Sequence, residues 1–209
     1  MIVSTQCIVL MKRQYRETAL LLEGISPDSG RLSLVIHGAQ KLSSKDFPAA
    51  DLYRELEVEY REEEKESAST LHTVSRAELL AEFDALADNP RHYAMAGRIG
   101  AFLLRNLQPS VPQPYTYDTL RSVFSQLAGE REEGVPAWSL EQCAVVIKTA
   151  FLYENGLLPE ARSERQSDFL ENLVAAGIDN SALPACRAEY WTTLNRWLDS
   201  LLEYHQLKK

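Results

Sequence analysis

Cysteine is scarce in this 209-residue chain, with Cys7, Cys143 and Cys186 far apart and no C-x-x-C among them. That scarcity excludes a disulfide framework and a Cys-based zinc site, and the three thiols read as buried small apolar residues. Long hydrophobic runs are missing too: no stretch reaches the roughly eighteen apolar residues a membrane helix needs. The opening "MIVSTQCIVLMKRQ" has no basic segment ahead of its short apolar stretch. The expectation is therefore a cytoplasmic protein without a signal peptide or membrane span. Positive charge is in deficit, with 22 Lys and Arg against 30 Asp and Glu, a net of -8 at pH 7. A general polyanion binder is thereby excluded, and any nucleic-acid role must rest on a local patch. Catalytic signatures are absent as well: no H-E-x-x-H, G-x-S-x-G, P-loop or dinucleotide glycine fingerprint occurs. His37, His72, His92 and His205 lie in different segments without a nucleophile or carboxylate at motif spacing. No enzyme is expected, and no cofactor or metal.

What is present begins with an apolar period close to two. Cys7 to Met11 form a first run that breaks at "KRQYRE", and residues 19 to 25 form a second. Between the second and third runs stands "PDSG", in which Asp28 and Ser29 suit the centre of a type I turn and Gly30 the left-handed residue that completes a bulged hairpin. In the third run Leu32, Leu34 and Ile36 point one way while Arg31, Ser33, Val35 and His37 point the other, the pattern of a half-exposed antiparallel sheet. "YRELEVEYREE" alternates with Leu56, Val58 and Tyr60 inward and Glu55, Glu57 and Glu59 outward, and "LHTVS" at 71 to 75 makes a fifth short strand. Five short strands joined mostly by hairpins suit an OB-type barrel over residues 1–76. "REEEKE" at 61 to 66 reads as a solvated loop between strands.

From Glu78 the period becomes helical. Asn89-Pro90 starts a helix expected to end near Leu107 at "QPSVPQP", Asp118 suits the N-cap of a second, and Ser139 with Gln142 makes a capping box for a third ending at Asn155-Gly156. A last helix at 187 to 206 carries Trp191, Leu194, Leu198 and Leu201 on one stripe. The fold class is α+β, an N-terminal five-stranded OB-type β-barrel followed by an all-helical domain at 77–209.

The first domain also supplies the binding candidates. Lys12, Arg13 and Arg16 surround Tyr15 at the end of the first strand, and Arg31, His37, Lys41 and Lys45 lie on or after the third. On the strand face that OB barrels use for single strands, such cations contact phosphates while Tyr15 stacks on a base. Residues 1 to 60 hold seven Lys or Arg and eight Asp or Glu. DNA binding therefore requires a polarised barrel with the Glu55, Glu57 and Glu59 row turned elsewhere. In the second domain Trp191, Trp197, Tyr190 and Phe151 read as core, or as a pocket for an apolar peptide end with Lys148 or Arg121 beside it to attract acids.

The order "CIVLMKRQYRETALLLEGISPDSGRLSLVIHGAQK" resembles the amino-terminal signature of RecO, the bacterial recombination-mediator family: an apolar strand, a basic break, E-T before a second strand, a Ser-Gly turn, a G-R start to the third and a Gly-Ala end. Glu17, Thr18, Leu20, Gly30, Arg31, Leu34, Val35, Gly38 and Ala39 carry the likeness. Weaker similarity runs on through "FPAADLYRELEVEY", "SRAELLAEF", "AWSLEQCAVVIKTAFLYENGLLPE" and "LNRWLDSLLEYHQLKK". The resemblance implies a nucleoid-associated DNA-repair protein that binds single- and double-stranded DNA and anneals complementary strands. It also implies RecR as a partner in loading the recombinase on DNA coated by single-strand-binding protein, whose acidic, Phe-ending tail the helical domain binds. His37 and Gln40 stand where many relatives carry Lys and Arg, and "LPEARSERQSDF" lacks the cysteine zinc module that many relatives carry, so a zinc-free, acidic member is expected. The rival reading is a protein-interaction adaptor with little DNA contact of its own, which the net charge favours.

Overall fold

The computed structural model describes residues 2–37, 50–61, 71–130 and 133–208. The described residues contain five strands and then five α-helices, the α+β order expected, and the strands close into a barrel in the order β1-β2-β3-β5-β4. β1 (Ile2–Tyr15) pairs antiparallel with β4 (Arg54–Arg61) through its first half and with β2 (Ala19–Ser26) through its second. One long strand thus serves both sides of the closure. A register shift between Val9 and Met11 marks the handover, as expected where a bulge increases local twist.

"KRQYRE" does not end the strand, contrary to the sequence reading. Lys12 to Tyr15 continue the ladder opposite Leu22 to Ala19, and only residues 16 to 18 turn. Polar side chains are tolerated there because the backbone ladder is satisfied by the partner strand and the side chains reach solvent. β2 is buried throughout. β3 (Gly30–Ile36) pairs antiparallel with β2 as expected but parallel with β5 (Leu71–Glu82), and of its outward residues Arg31 and Ser33 are half-buried and His37 exposed while Val35 is buried. Two apolar clusters explain the double burial of β2. Leu22 joins Cys7, Val9, Leu32, Leu34, Leu56, Val58 and Tyr60 in the barrel interior, while Ala19 and Leu21 pack with Val35 on the opposite face.

β5 runs to Glu82, past the point where helical periodicity was expected to begin, because Ala77 to Glu82 still pair with Val58 back to Arg54. The same pairing corrects the Glu row. A register irregularity between Glu55 and Leu56 breaks the alternation, and Glu55 is buried while Glu57 stays exposed.

The Pro27–Gly30 turn is built as expected, with Gly30 at φ +60°. It is met by the segment Leu107–Gln113, which belongs to the same compact unit as residues 1–84. Arg31 donates its N–H to the Gln108 carbonyl at 3.2 Å, Ser110 to Ser29 at 2.9 Å, and Gln113 to Pro27 at 2.8 Å. The chain therefore leaves the barrel unit after Asp84, returns to it over seven residues, and leaves again at Pro114.

The second unit holds α1 (Pro90–Asn106), α2 (Pro114–Ala128), α3 (Leu140–Glu154), α4 (Glu164–Ile178) and α5 (Ala188–Tyr204), after a 3-10 turn over Asp84–Asp88 that straddles the boundary. The Ser139/Gln142 capping box forms with both of its hydrogen bonds. Asp118 is not an N-cap: α2 starts four residues earlier, where the Glu154 carboxylate of α3 accepts the N–H groups of Tyr115 and Thr116 at 2.8 and 2.9 Å. In α5 the buried stripe is Trp191, Leu194, Leu198 and Leu202, with Leu201 only half-buried. No helix among the described residues is long and apolar enough to cross a membrane.

Candidate nucleic-acid interface

Cross-strand partners in a sheet share a face, so the registers decide which basic side chains stand together. Arg13 lies opposite Leu21, and Tyr15 opposite Ala19, so both belong to the outer face that carries Val35. Arg31, two positions before Ser33, is on that face as well, because Ser33 lies opposite Glu23 and Glu23 follows Leu21 by two. Lys12 pairs with Leu22, a residue of the barrel interior, and so takes the other parity. The cations read from sequence as one cluster are divided between two faces of β1.

Their charges are engaged. Lys12 Nζ lies 2.9 Å from the Asp51 carboxylate. Burial alone would raise the Asp51 carboxyl, but hydrogen bonds from the Lys12 ammonium and the Leu52 N–H outweigh it and hold the group below its usual range. Glu23, a buried carboxylate at the middle of β2, receives Arg31 at 2.5 Å on one oxygen and faces Arg13 at 3.9 Å from the other. Both arginine side chains keep substantial exposure, 62% for Arg13 and 36% for Arg31.

Arg16 adopts φ +57° in the turn after β1, and its guanidinium lies 5.3 Å from the centre of the Tyr15 ring. Within about 6 Å that is a cation–π contact. It is exposed, and among the described residues it forms no ion pair. Half-buried Tyr15 thus has one ring face taken by Arg16, which leaves the stacking expected of it as a matter of exchange. His37 is exposed just after β3. Lys41 and Lys45, with Gly38, Ala39 and Gln40, lie outside the described residues, as do residues 62 to 66 of the segment expected to be a loop; its first residue, Arg61, instead ends β4.

The acidic row stands on the strands away from β2 and β3. Ser4 of β1 donates to Glu57 at 3.3 Å, and Arg76 of β5 bridges Glu59 and Glu78.

In the second unit, Phe151 is buried and packs edge-on against Phe102, ring centres 5.4 Å apart. Lys148 Nζ lies 2.6 Å from the Asp199 carboxylate and 2.8 Å from the Asn195 side-chain oxygen. A cavity of about 380 Å³ opens beside them between α1, α3 and α5, lined by Met95, Ile99 and Phe102 together with Arg98, Arg105 and Lys148. Arg121 is exposed on α2 and is not part of that lining; it acts on the neighbouring Asp118. Sequence reasoning missed Arg98 and Arg105. Their spacing of seven puts them on one side of α1, a signal available from helical periodicity had the cavity been known. Among the described residues no group of three or more His, Cys, Asp or Glu could hold a metal ion.

A closed five-stranded β1-β2-β3-β5-β4 barrel with cations at the β1–β3 face defines an OB-type domain. Residues 1–83 match the family model described as "Recombination protein O N terminal". The first 83 residues thus carry the amino-terminal domain of the RecO family of recombination proteins. No curated protein matches the sequence. Among solved structures, asparaginyl-tRNA synthetase from Entamoeba histolytica is matched in two chains, one of them in complex with asparaginyl-adenylate. Identity is 13% and 12%, with a TM-score of 0.34 in each case, over 58% of this chain and 31% of that one. A likeness of that size carries no argument about this protein.

Proposed function

We propose that this protein is a recombination mediator without catalytic activity. In this reading the barrel binds single- and double-stranded DNA and promotes annealing, and the protein works with RecR to load the recombinase on DNA coated by single-strand-binding protein. The observation that carries the reading is the family match over the barrel, residues 1–83. Arg13, Arg31 and Tyr15 on one outer face, with Arg16 beside them, supply phosphate contacts and a ring for stacking; Lys12, His37, Lys41 and Lys45 extend the positive edge. The helical unit receives the acidic, Phe-ending tail of the single-strand-binding protein in the α1/α3/α5 cavity. Met95, Ile99 and Phe102 suit a terminal aromatic ring there, and Arg98, Arg105 and Lys148 suit carboxylates.

The adaptor reading is favoured by one specific observation: Lys12, Arg13 and Arg31 each already face a carboxylate. Anisotropy titration of a labelled single-stranded oligonucleotide at several salt concentrations separates the two. The mediator binds, with log K falling by roughly 0.7 per phosphate contact as log salt rises. Replacement of Arg13, Arg16 and Lys41 by Ala then flattens that slope, and an unchanged slope removes the site assignment. No binding even at low salt leaves the adaptor.

A further inference from the structure

Glu23 is a charged side chain in an unusual place. It sits in the middle of a strand buried along its whole length, its own side chain 10% exposed, yet it is flanked by cations from both neighbouring strands. Met11 of β1 and Ser33 of β3 lie directly opposite it, and Arg13 and Arg31 reach it on the diagonals. A buried carboxylate needs partners to offset its lost hydration, and two guanidinium groups supply them. The consequence runs outward. The pair of arginines that gives this face its positive charge presents a triad of net charge +1 rather than +2, and one Nη of Arg31 is turned toward Glu23 at 2.5 Å instead of toward solvent.

We infer that Glu23 is an internal competitor for phosphate. It holds Arg13 and Arg31 in place but cancels one of their charges, and so sets the DNA affinity of the barrel low. The inference rests on the DNA-binding reading of the barrel and adds to it a single residue that limits affinity. An incoming phosphate must share Arg31 with the carboxylate and meet the negative charge of Glu23 behind the two guanidinium groups. Such an arrangement suits a protein whose contacts with a strand are meant to exchange rather than persist, because tight phosphate clamping slows release.

The test is the same anisotropy titration on the full chain, comparing the wild type with Glu23→Gln, which keeps the shape and removes the charge. The variant is expected to bind single-stranded DNA about tenfold more tightly at 50 mM salt, with a salt slope steeper by about 0.7 to 1.4, one to two additional phosphate contacts. Arg13→Ala is expected to lower the slope in both backgrounds, and by more in Glu23→Gln than in the wild type, since there the arginine no longer shares its charge with the carboxylate. If Glu23→Gln does not fold, as judged by circular dichroism, Glu23→Met serves, since the chain is then of similar volume and uncharged. A wild type that binds, together with either folded variant at unchanged or weaker affinity, overturns the inference and makes Glu23 a positioning residue for the arginines. Absence of DNA binding by wild type and variant alike overturns the DNA reading itself.

Discussion

At the scale of single residues, charges in this protein are governed by their immediate surroundings rather than by the chain's net -8. Asp118 is the clearest instance. Half-buried within α2, its carboxyl is pushed up by burial, an effect the Arg121 guanidinium opposes and the Asp179 carboxylate reinforces. A carboxyl whose folded pKa exceeds its ordinary 3.8 favours the folded state when protonated. Its contribution is therefore complete below the unfolded value and is lost as pH rises through the folded one. Asp118→Asn is expected to raise the melting temperature near pH 7, the advantage closing at about pH 3 where the native carboxyl is also neutral. Thermal melts at both pH values check this, and an advantage that persists undiminished in acid would exclude the ionic explanation. Cys7 and Cys143 are governed likewise, burial pushing both thiols up to about 12. They are inert small apolar residues of the two cores, as expected from the sequence; Cys186, expected to be buried with them, is exposed.

Among the elements, sequence signals worked where the device is local and failed where the partner is distant. Ser139 and Gln142 are three residues apart and could be read together; the cap forms. Ser163 with Gln166 carries the same signal for the start of α4, and Ser163 accepts the Gln166 N–H at 3.3 Å, so that helix was within reach of the same rule. The start of α2 was not, because the group that caps it is Glu154, thirty-eight residues from Thr116. Glu154→Ala leaves both the Tyr115 and Thr116 N–H groups without their carboxylate, one of them in a buried residue. A loss of about 2 kcal/mol is expected, read from the urea midpoint followed by tryptophan fluorescence. All three tryptophans, Trp138, Trp191 and Trp197, lie in the helical unit, so the signal reports on it directly. A midpoint unmoved by the substitution would mean that water caps α2 equally well.

For the whole molecule, the division into units does not follow the chain. Residues Leu107–Gln113 belong to the barrel although helices precede and follow them, and they bind the β2–β3 turn by three backbone hydrogen bonds. Gly30 is where they come closest. A Cβ there would stand 2.3 Å from the Val111 carbonyl oxygen and 2.6 Å from that of Gln108, and the residue holds φ +60°. Gly30→Ala thus faces both a left-handed backbone and two backbone oxygens that cannot swing aside. A cost of about 2 kcal/mol or more is expected in the denaturation midpoint by far-ultraviolet circular dichroism, and a neutral effect would show that the segment is not held against the turn in solution.

The sequence by itself determined the kinds of structure and their order: period-two runs followed by helical ones, the Pro27–Gly30 turn, the capping box, and the signature carried by residues such as Arg31 and Gly30 that the family match over 1–83 bears out. These are local or order-dependent, and periodicity and turn chemistry encode them directly. Tertiary structure decided what depends on which strand lies beside which. The bulge near Val9 and the registers of β1, β2 and β3 decided that Arg13, and not Lys12, shares the outer face with Arg31, set Glu23 between two arginines, and buried Glu55 in a row read as exposed. A shift of one residue in register reverses the face of every side chain beyond it, and nothing within a single strand records the register of its neighbours.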